Sequence, residues 1–165
     1  MDSTAIDAWE TFYSAQLSAA VTLAGLIFVG LSINLSKIIA SPEVANRALL
    51  SIFVLLGVVL IASYMLMPHL SVLTVGWLVV VTGVIFALYA TVVEIRTLRR
   101  HMVRDTSMFA MNMVLLECAI IPCVIGGLLL VAGSGSGFYW IAAGVILAFV
   151  KAIADAWVLL VEINR

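Results

Sequence analysis

The sequence predicts an all-α integral membrane bundle of five transmembrane helices, and three observations carry that expectation. Hydrophobic residues make up 65% of the 165-residue chain and charged residues 10%, against about 25% charged in a soluble domain. Five apolar stretches of spanning length, about 20 residues or a little more each, fill most of the chain, and only the last two carry charges inside. The Lys and Arg residues outside them fall only in alternate connections and at the C-terminus. The length suits one transmembrane domain over residues 1–165.

The first span is residues 12–36, with no charge between Thr11 and Ser36. A long uncharged run follows, Ala48 to Val93. As one helix it would overshoot the bilayer roughly twofold, so it turns back at Pro68-His69-Leu70-Ser71 and gives spans at 49–67 and 73–93. Ser41-Pro42 reads as an N-cap followed by Pro at the first helical position, and Thr106-Ser107 as a cap for a fourth span at 108–132. Gly133-Ser134-Gly135-Ser136-Gly137 is a flexible turn into a fifth span at 138–162.

Lys37 and Arg47 lie between the first two spans, Arg96, Arg99, Arg100 and Arg104 between the third and fourth, and Arg165 ends the chain. The positive-inside rule then places the N-terminus outside and the C-terminus in the cytoplasm. Trp9, Tyr13, Trp77, Tyr139 and Trp140 fall near the outer interface and Trp157 near the inner one, as aromatic anchors do. The first ten residues hold no Lys or Arg, so no cleavable signal peptide is expected.

Composition also excludes. A net charge of −1 argues against a nucleic-acid partner. Cys118 and Cys123, five apart, point roughly 140° from each other on a helix; they form no disulfide there, and two thiols alone make no metal site. There is no P-loop, HExxH or GxSxG, and GlySerGlySerGly does not match GxGxxG. His69 and His101 stand at opposite membrane faces. No catalytic residue, metal or other cofactor is expected, and an enzyme is the least supported class.

The chemistry that remains is inside the spans. Lys151 lies roughly 16 Å and Asp155 roughly 10 Å from the inner end of the fifth helix, and Glu117 roughly 13 Å from that of the fourth. An unpaired charge at the bilayer centre costs about 2.5–3.5 kcal/mol on insertion scales. One lysine between two carboxylates relieves most of that, so Glu117, Lys151 and Asp155 are expected to form an intramembrane polar core. Gly144, Ala148, Ala152 and Ala156 repeat every four residues, a face for close helix packing, and Lys151 and Asp155 border it. Two readings stand side by side: a structural ion pair that fixes helix register, and a proton- or ion-linked site. Pro122 deprives the Cys118 carbonyl of its helical donor, which is a kink on the first reading and a cation ligand on the second.

The first span carries Ser14, Ser18, Thr22, Gly25, Ser32 and Ser36 within roughly 80° of a helical wheel, interrupted only by Val29. This is either a packing face or a hydroxyl-lined pore stripe with Val29 as a dry constriction. Five helices enclose no wide pore, so the second reading needs a ring of subunits. Gln16 and Asn34 lie on the opposite side, where interhelical hydrogen bonding accounts for them.

Two stretches carry a resemblance: AlaGlyLeuIlePheValGlyLeuSerIleAsnLeu at 24–35, and GlyPheTyrTrp at 137–140 with AlaTrpValLeuLeuValGluIle at 156–163. They resemble a family of small, largely uncharacterised bacterial multi-pass membrane proteins, frequent in actinobacteria and loosely labelled modulators of the FtsH membrane protease. The resemblance is strongest over the first and last spans. It implies the bacterial inner membrane and a regulatory partner. In that pattern Asn often stands at the place of Asp155 and Gln at that of Glu117, which implies that a polar group matters there more than a charge. The function expected first is a small homo-oligomeric channel or transporter-like protein. The alternative is a non-conducting modulator or accessory subunit of another membrane protein. A structural scaffold is the third. Its partners are the lipid bilayer, further copies of itself and, on the alternative reading, another membrane protein.

Overall fold

The computed structural model of the protein describes the backbone of residues 9–33, 35, 42–100 and 106–163, and the side chains of 9–33, 35, 48–93, 95 and 113–157. Ser36, Asn34, the Ser41 cap and the side chains of the loop Lys and Arg residues lie outside that set. Among the described residues there are five helices and no strand: α1 (Glu10–Ile33), α2 (Pro42–Leu66), α3 (Val72–Arg100), α4 (Thr106–Val131) and α5 (Gly137–Ile163). Each contains a stretch long and apolar enough to cross a membrane, so the chain is a multi-pass membrane protein by architecture. With no water in the hydrocarbon, the backbone satisfies its own polar groups, and a helix does so within each segment.

The helix ends follow local chemistry. Pro68 and His69 break the long apolar run, with His69 in the left-handed region (φ 64). Ser71 then caps α3: its Oγ accepts from the Thr74 N–H at 3.2 Å and lies 2.8 Å from Thr74 Oγ1, which satisfies one of the four unpaired N–H groups of the first turn. Gly133 (φ 81) ends α4. Its N–H donates to the Leu130 carbonyl at 3.0 Å and the Ser134 N–H to that of Leu129 at 2.8 Å, the paired bonds of a Schellman cap. At Gly133 a side chain would be strained. The glycine-serine turn is thus an ordered corner with a job for its first glycine. Helix α3 continues beyond the expected end at Val93 as far as Arg100, because the arginine stretch is a good helix former and needs no apolar solvent.

Helices α2, α3, α4 and α5 form a ring in which each packs on the next and α5 closes on α2. The most extensive contacts are those of α4 with α5 and with α3. Two adjacent glycines explain this. A Cβ on Gly126 would come 2.7 Å from the Gly137 carbonyl oxygen of α5, and one on Gly127 would come 3.0 Å from that of Gly76 in α3. Neighbouring residues on a helix point about 100° apart, so the pair brings two different backbones against α4. The ring holds a partly open apolar cavity of about 40 Å³ whose lining includes only Thr82 and Cys123 among side chains with a polar atom. A cavity so poor in hydrogen-bonding groups stays dry.

Helix α1 stands outside the ring, mainly against α2 with a small contact on α5. Its buried residues are Tyr13, Ala20 and Ile27, one narrow seam at intervals of seven. Only 11% of its apolar stretch is buried, against 33–50% in the other four helices.

Candidate functional site

Helix α5 places its charges by the same period that builds the core. Ile141, Val145, Ala148, Ala152 and Asp155 are all buried at spacings of four and three, the inward seam of a bundle helix. Asp155 ends that seam, and Lys151 sits one turn before it. The two are 4% and 1% exposed. Lys151 Nζ donates to Asp155 Oδ2 in a buried ion pair within one helix. The same oxygen accepts from Ser51 Oγ of α2 at 3.1 Å. The pair is therefore neutral as a unit and tied across the bundle by a hydroxyl.

Sequence reasoning did not find Ser51, although a signal was present. Ser51 lies about 14 Å from the start of α2, and Asp155 about 12 Å from the end of the antiparallel α5. It is the single hydroxyl in the apolar run from Ala48 to Ala62. Matching polar groups by depth points to it.

Glu117 is not the outside partner. It is partly exposed on α4, and among the described residues no hydrogen bond or ion pair joins it to Lys151 or Asp155. The reason is azimuth. The α5-facing residues of α4 are Ala119, Cys123 and Gly126, and Glu117 lies at least about 120° around the helix from each of them. The three charges share a depth without sharing a place. Glu117 borders the outward stripe of α4, three residues from Val114 and four from Ile121, both well exposed. Cys118 is exposed and Cys123 buried, both as free thiols.

The small-residue face of α5 packs inside the chain. Gly144, Ala148 and Ala152 are buried and Ala156 is partly so. A Cβ on Gly144 would meet Cys123 Sγ and come 2.9 Å from the Ala119 carbonyl oxygen.

The stripe of α1 does the opposite. Ser14, Ser18, Thr22, Gly25, Val29 and Ser32 are all exposed, on the side of the helix turned away from Tyr13, Ala20 and Ile27. Nothing stands within 4 Å of a Cβ built on Gly25. Three of the hydroxyls are bonded to their own helix: Ser14 donates to Thr11 at 3.0 Å, Thr22 to Ser18 at 2.8 Å and Ser32 to Val29 at 2.8 Å, in each case to the carbonyl oxygen. Among the described residues the stripe packs on nothing, and these three hydroxyls have acceptors without water.

Beyond its seam on α2, α1 is also tied to α5 at its N-terminal end. Trp9 stacks on Phe138 (centroids 5.9 Å, planes 16°) and meets Tyr139 edge-on at 4.9 Å. The Tyr13 hydroxyl donates to the Phe138 carbonyl at 3.4 Å. Tyr13 is 1% exposed, so it serves as a helix-to-helix tie. Trp77, Tyr139 and Trp140 keep large exposed surfaces, as an interfacial belt requires.

No protein-family model, no curated protein and no solved structure matches this chain.

Proposed function

We propose that the protein is a non-conducting, homo-oligomeric accessory or modulator protein of the membrane that works through lateral helix contacts made by α1. One observation carries this reading: the small-residue stripe of α1, from Ser14 to Ser32, lies on its exposed side, with its hydroxyls largely satisfied by its own backbone. In lipid, helices associate by close packing at small residues, and such a stripe needs neither water nor a charge. The ion pair fits the same reading. It is sealed, neutral and bonded to α2 through Ser51, so it acts as glue between helices. The cavity within the ring is lined almost wholly by apolar side chains, a poor path for an ion.

The test is ion flux through liposomes holding folded, oligomeric protein, with K⁺, Na⁺, Cl⁻ and proton gradients applied in turn. The expected result is flux no higher than in protein-free liposomes. Flux that changes with Thr22→Trp would establish the second reading, a ring-shaped channel with α1 at its axis. That reading has its own support, since Ser14 to Ser32 form a hydroxyl-bearing line along the length of α1 with Val29 as its apolar interruption.

A further inference from the structure

Glu117 is a carboxyl group at mid-depth of a membrane helix, partly exposed, with no hydrogen bond or ion pair to any described residue. It sits among exposed apolar side chains, Val114 and Ile121. An ionisable group in that setting is costly unless a polar group meets it. The chain itself carries one at the right depth, on another face.

The ends of α1 and α4 can be put on one scale, because Trp9 beside α1 contacts Phe138 at the start of α5, and α5 starts where α4 ends. Measured from that side, Thr22 lies about 18 Å along α1 and Gly25 about 22 Å, while Glu117 lies about 21 Å along α4. All copies of one chain cross the membrane in the same direction, so these depths coincide between neighbours. Within one copy the two cannot meet: α1 lies outside α2, and α4 is across the ring from α2.

We propose that Glu117 of one copy docks on the Thr22–Gly25 segment of α1 of the next. A hydroxyl serves either form of the carboxyl, donating to a carboxylate or accepting from the acid. Thr22 Oγ1 already donates to the Ser18 carbonyl at 2.8 Å, so it relays the bond into the α1 backbone when it accepts. Gly25, with open space where a side chain would be, lets α4 come close beside it. The two surfaces belong to different sides of the molecule, so the contact is head-to-tail. Such contacts close into a ring when the rotation allows and otherwise run on as a filament. The membrane keeps every copy upright, which favours closure. This rests on the association of α1 proposed above, but it is read out separately from ion flux.

Cys118, exposed and next to Glu117, makes the contact testable. Leu26→Cys, exposed and one turn from Thr22 on the same side of α1, is introduced into the full chain so that Thr22 stays intact, and native membranes are oxidised with copper phenanthroline. The expected result is a ladder of disulfide-linked species extending past the dimer, lost in Leu26→Cys/Cys118→Ser. The control Phe28→Cys, exposed on another side of α1, gives no ladder. Adding Glu117→Leu to Leu26→Cys shortens the ladder at least several-fold and leaves the thermal midpoint of the detergent-separated monomer unchanged. Glu117→Gln, which still hydrogen-bonds, keeps the ladder. A dimer alone that persists in Leu26→Cys/Cys118→Ser would overturn the proposal in favour of an α1–α1 contact. No cross-link at all, or a ladder indifferent to Glu117→Leu, would also overturn it, whatever the flux assay gives.

Discussion

Two small-residue stripes, one on α5 and one on α1, look alike along the chain and end in opposite situations. Gly144, Ala148 and Ala152 are buried, with Gly144 directly against α4. Ser14, Ser18, Thr22, Gly25 and Ser32 are exposed and face away from the other described residues. The difference lies in what flanks each stripe. On α5, large residues Ile141 and Val145 share the inward side and are drawn into the ring with the glycine and alanines. On α1, the anchoring residues Tyr13, Ala20 and Ile27 lie on the other side, so burying them turns the stripe outward. A small-residue stripe therefore states that a backbone can come close. The large residues around it decide whether that backbone belongs to the same chain.

The comparison is broken most severely at the ion pair beside the α5 stripe. Lys151→Met leaves Asp155 buried without its countercharge and is expected to destabilise the fold by about 3–5 kcal/mol, whereas Lys151→Met with Asp155→Leu restores most of the loss. Thermal unfolding in detergent reads both. A double variant as unstable as the single one would mean that the loss comes from the missing pair itself and not from an Asp155 left buried without a countercharge. Next comes the pair Gly144→Leu and Gly25→Leu. The first drives a side chain into Cys123 and the α4 backbone, costing about 3 kcal/mol as overpacking does. The second enters open space and stays within about 0.5 kcal/mol of wild type for the monomer. Equal costs would mean that the two stripes are in equivalent surroundings after all. The smallest effect sharpens the account: Ser51→Ala removes one interhelical hydrogen bond and costs about 1 kcal/mol. In the background of Lys151→Met/Asp155→Leu, the same Ser51→Ala change costs less, because its acceptor is gone.

Much of the architecture was legible in the chain. The spans, the turn at Pro68-His69 and the corner at Gly133 follow from charge, apolar length and turn chemistry, each of which acts over a few residues. The burial of Lys151 and Asp155 was legible too, from their place beside a packing face. The expectation for Glu117 went astray because a sequence gives depth along a helix and leaves open which way a residue faces once neighbours are chosen. Glu117, Lys151 and Asp155 met the depth criterion, and only two of them share a direction. Ser51 met it as well and was passed over because a lone serine carries no charge to draw attention. The outward turn of the α1 stripe depends on Tyr13 and its partner Phe138, 125 residues apart, which no local pattern links.

That same separation sets an order of events during synthesis. Chains leave the ribosome at about 5–20 residues per second, so Phe138 follows Tyr13 by roughly 6–25 s. Through that interval α1 has been made while the residues that clamp its N-terminal end have not. Its seam toward α2 becomes available early and its aromatic clasp on α5 last. Of the five helices, α1 is thus the earliest made and among the last to be fully fastened, and the clasp records that α5 has arrived.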